Sequence, residues 1–377
     1  GNDMAKNHSG LTAWQLTMMA LGTVIGGSFF LGSSIAIRSA GPAVIIAYLL
    51  GGALVYLILF SLSEMTVADA DPGSFRAFSQ RAFGPGVGFV VGWVYWTGLI
   101  LAMSSEATAV SIFLRSWFPQ LSIPLLGSII IIAVTLANLL GAERLSKLEG
   151  GLAAVKIAAI IGFIILALAL VVGVFPGKAA IGLGVIGEQA FFPRGIFGIA
   201  GSMLIVMFTY AGFEIIGLAA SETGDPHKTV PRAIVYTVLG LVGLYVFTIA
   251  LILPLIPTDM LTQETSPLVA ALGYRQVQWA GGVINVVLVT AILSTMLAAT
   301  FGLGRMMRSL ADEGHAPSWL HDKRDVPYRG IIFSGLSMLA GLALGLVLPE
   351  QVYLFLVSSG GFSLLFTYVI IVATHYK

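Results

Sequence analysis

Long apolar runs alternate along the chain with short breaks rich in charge, proline or glycine. They predict ten helical spans, at about 12–38, 42–67, 87–116, 122–140, 151–175, 196–221, 232–256, 276–310, 330–348 and 351–375. A membrane barrel would instead show segments of about ten residues that alternate apolar with polar. Runs such as SIIIIAVTLANLL and IAAIIGFIILALALVV alternate nowhere. The expected fold class is therefore an all-α polytopic membrane protein. No small-residue cleavage site follows the first apolar core, so span one reads as an uncleaved helix, and Gly1, Asn2 and Asp3 ahead of Met4 read as the remnant of a tag.

Two spans are interrupted at corresponding places in the order, span one at VIGGSFF (24–30) and span six at FTYAGFE (208–214). Ten spans divide into two halves of five. An odd number per half makes the second half enter the membrane from the opposite side, so spans one and six become partners in an inverted repeat. This predicts a single transmembrane domain over 1–377, with one repeat at about 11–175 and the other at about 196–377. Irregular backbone at membrane depth is tolerated where it lines a cavity, because its amides and carbonyls otherwise go unpaired in hydrocarbon. The two breaks therefore point to a ligand.

Composition agrees with this pattern. Hydrophobic residues make up 57% of the chain and charged residues 10%, with mean hydropathy +0.96, whereas about 25% charge is usual in soluble domains. The net charge of +1 supplies no basic field for nucleic acid. The absence of cysteine excludes disulfides, thiolate catalysis and Cys-ligated metals. His227, His315 and His321 lack an HExxH spacing, and Gly302, Gly304 and Arg305 follow no strand, so neither a metal nor a nucleotide cofactor is expected. With the N-terminus in the cytoplasm, thirteen of the 19 Lys and Arg residues, Lys6 among them, fall in inside segments, five fall outside, and Lys156 lies within a span. The positive-inside rule therefore places the N-terminus inside.

At the first break, Gly26, Gly27 and Ser28 let the chain leave helical geometry and present free amides that suit a carboxylate. Close helix packing through small residues is the other reading, which Gly51, Gly52, Gly150 and Gly151 also allow. At the second break, carbonyls at Phe208 and Ala211 suit an ammonium group, and Gly212 relieves the backbone. Amides for one end and carbonyls for the other describe a reader of the amino-acid backbone. Ionisable residues in spans are functional candidates because burial in lipid is costly. Glu214 follows the second break as a proton carrier or as an acceptor for freed amides. Lys156 stands about six residues into span five, as a proton-releasing amine or a fixed ion-pair partner. For Glu106 a transport role and a structural hydrogen bond are both open, and Glu64 lies close enough to a span end to reach the interface. Trp93, Tyr95 and Trp96 read as helix packing.

The motifs LGTVIGGSFFLGS, SEMTVADADPGSFRAFSQRAFGPGVGFVVGWVYW, GFEIIGLAASETGDPHKTVPRAI and GRMMRSLADEGHAP resemble those of amino-acid permeases. The superfamily is the amino acid-polyamine-organocation one, in its bacterial and fungal amino acid transporter branch, and the resemblance runs from about residue 11 to 377. It implies the five-plus-five inverted-repeat transporter fold (LeuT-type) with discontinuous helices 1 and 6. Spans one, two, six and seven would rock against a scaffold of three, four, eight and nine. By this resemblance the substrate carboxylate maps to Gly26, Gly27 and Ser28, and its amino group to carbonyls of Val24, Phe208 and Ala211. Gly98, Leu99, Met103 and Ala299 would form pocket walls. The family's proton-linked lysine maps to Lys156, in the place that sodium-coupled relatives use for an ion. The chain departs from the pattern in reading Gly26-Gly27-Ser28 for G-S/T-G, WVYW for WNYW, and STMLAATF where relatives often have an asparagine at the position of Leu297. Family members usually have twelve helices, and the usual helices 11 and 12 are expected not to be present in this chain.

The expected function is a secondary active transporter, not an enzyme. It would import a neutral L-amino acid across the cell membrane by proton symport through Lys156, Glu214 and Glu106, with alternating access around a midplane site. The alternatives are an amino-acid exchanger on the same fold and an amino-acid-binding receptor that does not transport. Partners are the amino acid, protons and the lipid bilayer.

Overall fold

The computed structural model describes residues 10–30, 32–115, 117–262, 266–348, 363 and 365–377. Its helices in chain order are α1 (Ala13–Val24), α2 (Gly27–Phe30), α3 (Ser33–Ala40), α4 (Val44–Ala68), α5 (Phe75–Phe83), α6 (Pro85–Leu114), α7 (Ile123–Asn138) and α8 (Ala142–Val172). The second half continues with α9 (Gly195–Tyr210), α10 (Ile215–Ala219), α11 (Pro226–Leu255), α12 (Pro267–Tyr274), α13 (Ala280–Asp312), α14 (Tyr328–Val347) and α15 (Leu365–Tyr376). No strand forms among the described residues. One parallel bridge joins Leu11 to Thr223, with the Leu11 amide donating to the Glu222 carbonyl at 2.8 Å.

The fold is the inverted-repeat transporter architecture, with helices one and six discontinuous. Span one is α1 to α3 and span six is α9 with α10; α4, α6, α7, α8, α11, α13 and α14 are spans two, three, four, five, seven, eight and nine. Lys6 and most of the tenth span lie outside the described residues, and α15 is the described end of that span. Span five differs from the expected boundary. It begins at Ala142 instead of near 151, which places Lys156 about four turns from its start instead of six residues in. The polar run ERLSKLEGG masked these turns, since hydropathy alone cannot separate a helix end from a loop.

A capping box starts span one: the Thr12 hydroxyl accepts the Gln15 amide at 3.1 Å, and Gln15 Oε1 accepts the Thr12 amide at 2.9 Å. Packing divides the molecule. Helix α4 packs on α9 and α11, and α11 packs on α1; α6, α7, α13 and α14 pack on one another. Helix α8 lies against α1, α11 and α13, so span five joins the two groups. Large apolar side chains such as Ile165, Leu239 and Phe247 face outward, as a lipid-solvated surface requires. Some buried hydroxyls are satisfied within their own helices: Thr66 donates to Leu62 O and Thr135 to Ile131 O, both at 2.7 Å.

Candidate functional site

Helix α1 stops because Ile25, whose amide makes the last bond to Leu21 O, turns to extended backbone (φ −77°, ψ 98°). Gly27 and Ser28 then open α2, so their amides have no acceptor within that helix. The break is pressed between spans three and eight. A Cβ on Gly26 would stand 2.6 Å from Thr295 Oγ1, and one on Gly27 would stand 3.5 Å from Glu106 Oε2.

In span six, α9 ends at Tyr210, Ala211 is extended (φ −64°, ψ 148°), and Gly212 takes φ +110°, which an L side chain rarely adopts. A Cβ on Gly212 would meet Thr23 Cγ2 at 2.7 Å, so the two breaks touch each other. The Phe208 carbonyl already accepts the Ala211 amide at 3.3 Å, which leaves it one further acceptor site instead of the free carbonyl expected.

Around the abutting breaks is a cavity of about 450 Å³. Span one lines it with Thr23, Val24, Gly26, Gly27 and Ser28; span three with Tyr95, Leu99, Ala102, Met103 and Glu106. Span six adds Leu204, Phe208, Ala211, Gly212, Glu214 and Ile215, and span eight adds Thr295 and Ala299. Of the residues expected at the site, Gly98 and Lys156 do not line the cavity, and the others do. Gly98 is buried within α6. Leu297, where relatives often carry an asparagine, is also absent from the wall, and the hydroxyl that span eight brings is that of Thr295.

Glu214 is held by two phenols. Tyr95 donates to Oε1 at 3.1 Å and Tyr368 to Oε2 at 2.9 Å. The Tyr368 oxygen accepts the Gly212 amide at 3.1 Å, and its ring stacks on Phe213 at 4.7 Å. The carboxylate thus reaches the freed amide through a phenol from the tenth span. Tyr95 is more than the packing residue expected, while Trp93 and Trp96 do pack, against each other and, for Trp96, on Phe333. Glu64 stays apart from the cavity, paired with His375 at 2.6 Å.

Lys156 is fully buried behind the first break. Its amine donates to the Gly22 carbonyl and, at 2.6 Å, to the Ile25 carbonyl. Ile25 O is an acceptor that the break itself frees, so the lysine satisfies backbone that lipid could not. Glu106 and Glu149 are the carboxylates that act on its charge. Glu149 was hidden from sequence reasoning by the misplaced start of span five, and a glutamate seven residues before a lysine, on one helix face, is the signal that would have found it.

The amino acid permease family matches residues 15–377. The chain belongs to that family. It is therefore an amino acid transporter and not an enzyme, and it crosses the membrane many times. An amino acid permease of Bacillus subtilis (strain 168), named as uncharacterized, is 34% identical over 371 residues, covering 97% of this chain and 83% of that protein. The gamma-aminobutyric acid permease of the same organism is 32% identical over 365 residues, covering 96% and 78%. The aromatic amino acid transport protein AroP of Corynebacterium glutamicum (strain ATCC 13032) is 32% identical over 386 residues, covering 99% and 83%. Among solved structures, a substrate-bound, outward-open Na+-coupled sialic acid symporter is similar with TM-score 0.67 at 12% identity, covering 95% of this chain and 77% of that one. At that identity the likeness is one of fold. In this permease, seven helices or joined helical stretches among the described residues are long and apolar enough to cross a membrane. The first span falls short of that length because its break divides it.

Proposed function

We propose that this permease imports a neutral L-amino acid across the plasma membrane by proton symport, with its N-terminus in the cytoplasm. The two repeats, at about 11–175 and 196–377, form one transport domain. The substrate carboxylate binds at Gly26, Gly27 and Ser28, and its ammonium group at the carbonyls of Val24, Phe208 and Ala211. Leu99, Met103 and Ala299 judge the side chain, with Gly98 backing that wall. Relatives named for gamma-aminobutyrate and for aromatic amino acids support a substrate without net charge. The apolar wall agrees, since Glu106 and Glu214 are the acids that line the cavity and Glu214 is already engaged by two phenols.

The observation that carries proton coupling is the Lys156 amine on the Gly22 and Ile25 carbonyls. A charged amine ties span five to the first break, and a neutral one holds those carbonyls less strongly, because hydrogen bonds from an ionised donor are roughly twice as strong as neutral ones. Proton loss would free the broken helix to move with spans two, six and seven against the scaffold, which is alternating access. Glu106 and Glu214 would adjust the local charge as substrate enters.

The test is uptake into liposomes with an imposed pH gradient and no sodium. Accumulation should follow the proton gradient, and Lys156→Ala should abolish it while exchange persists. Uptake that requires sodium and ignores pH would refute the symport reading. Accumulation intact in Lys156→Ala would transfer the proton to Glu214.

A further inference from the structure

Glu149 is a buried ionisable group that the mechanism above leaves without a task. Its side chain has no exposure. One carboxylate oxygen accepts from the Ser294 hydroxyl of α13, and the other, Oε2, has no partner. The carboxylate also fills the space in which a Cβ of Gly22 would stand, so it rests directly on the backbone of α1 three residues before that helix ends at Ile25.

Lys156 follows Glu149 by seven residues on α8, about 10 Å along the axis and on nearly the same face. Both residues meet at Gly22. The Gly22 carbonyl accepts from Lys156 and, at 3.4 Å each, lies within reach of the Ser294 and Thr295 hydroxyls, while Ser294 donates to Glu149. Lys156 and Glu149 are therefore linked through the Gly22 carbonyl and the Ser294 hydroxyl, and Glu106 at the cavity completes the set as the other carboxylate that acts on the lysine's charge. Glu149 is the member nearest the start of α8, the end that the proposed orientation makes cytoplasmic.

The charges around Glu149 are few. Lys156 is the charged group that acts on it from α8 itself; α1 offers the Gly22 backbone, α13 offers a hydroxyl, and α11, which also packs on α8, brings no charge to it among the described residues. A carboxylate in that setting depends on the ammonium for its ionised form. Once Lys156 loses its proton, an ionised Glu149 would be a lone buried charge, the costliest state available to the pair.

We propose that Glu149 is the relay that takes the proton from Lys156 and passes it to the cytoplasmic side, with Ser294 holding the carboxylate in place against the broken helix. In this step one Lys156 N–H bond breaks and one Glu149 O–H bond forms. An ammonium and a carboxylate become a neutral amine and a neutral acid, and neither charge is stranded in the protein. Release of the proton from Glu149 to cytoplasmic water restores the carboxylate as Lys156 takes up the next proton from the cavity side, so no lone buried carboxylate is left behind. The inference rests on the proton-symport reading, and it adds the route by which the proton leaves.

The test uses the full-length protein in liposomes, with a radiolabelled mixture of neutral L-amino acids and gamma-aminobutyrate as probe. Two rates are compared: accumulation driven by an inward pH gradient, and exchange at equal pH on both sides. Glu149→Gln keeps the shape and the acceptor for Ser294 but cannot ionise. It should lose about a hundredfold in gradient-driven accumulation, the scale of a lost acid–base group, while exchange stays at the wild-type rate. Glu149→Asp should recover part of the accumulation with a shifted pH profile. Should Glu149→Gln fail to fold, Ser294→Ala takes its place and should slow accumulation while sparing exchange. Wild-type accumulation in Glu149→Gln overturns the relay, and so does parallel loss of both rates in a folded variant, which would mark a structural role. A wild-type protein that exchanges but ignores the pH gradient refutes symport itself and removes the relay with it, an outcome that the wild-type arm alone reveals.

Discussion

The contact between the first break and span eight can be tested by adding one methyl group. Gly26 does not occupy the left-handed region, so alanine is allowed there by the backbone. The new Cβ would stand 2.6 Å from Thr295 Oγ1 and 3.6 Å from Thr295 Cβ, against 3.4 Å for ordinary contact, an overlap of about 0.8 Å with the hydroxyl alone. Overpacking of this kind costs about 2 kcal/mol. If the strain falls on the substrate-binding conformation, affinity drops about thirtyfold, at 1.4 kcal/mol per factor of ten. Thr295→Ala removes the obstructing oxygen and gives up a long hydrogen bond to Gly22 O at 3.4 Å, a loss of about 0.6 kcal/mol. The double variant should therefore bind better than Gly26→Ala alone, with a coupling of about 2 kcal/mol in the cycle. Thermal shift against the standard amino acids identifies the ligand, and titration of each variant supplies the four affinities. Additive losses in the double variant would show that Thr295 is not the wall behind Gly26, and unchanged binding in folded Gly26→Ala would argue against a substrate site at this break.

Tyr368→Phe removes the hydroxyl that joins the Gly212 amide to Glu214, and should destabilise the permease by about 1–3 kcal/mol in detergent melts, as for an orphaned buried donor; an unchanged melt would contradict the bridge. Gly212→Ala combines φ +110° with a 2.7 Å contact to Thr23 Cγ2, so its loss should exceed that of Gly26→Ala in the same melts. In the loop before α14, the side chain and amide of Arg324, with the Arg329 amide, hold the Asp322 carboxyl below the usual carboxylate range. Its contribution is thus full above the ordinary aspartate pKa of about 3.9 and fades as pH falls toward the lowered value. Asp322→Asn should lower the melting temperature at neutral pH, and the difference from wild type should shrink in strong acid. A difference that does not change with pH would refute this account.

What the sequence determined by itself is what lipid imposes on every segment separately. Hydrocarbon demands long apolar runs, and those runs place the spans. It also forbids unpaired backbone, and so VIGGSFF and FTYAGFE stand out as breaks that must serve a cavity. The segments on which the cavity forms, and most of its wall from Val24 to Ala299, were legible in this way or through family resemblance. Which side chains meet across helices was decided by tertiary structure alone. Tyr368 joins Glu214 across 154 residues of chain and Glu149 meets Ser294 across 145, and no local periodicity encodes either pairing. Rotation of a helix about its axis, fixed only when its neighbours pack, chooses which of the 3.6 directions per turn a residue takes. That choice turned Tyr95 from a packing ring into a donor to Glu214, set the Lys156 amine on the carbonyls of Gly22 and Ile25, and brought Glu149 from the start of a helix taken for a loop onto the backbone of Gly22.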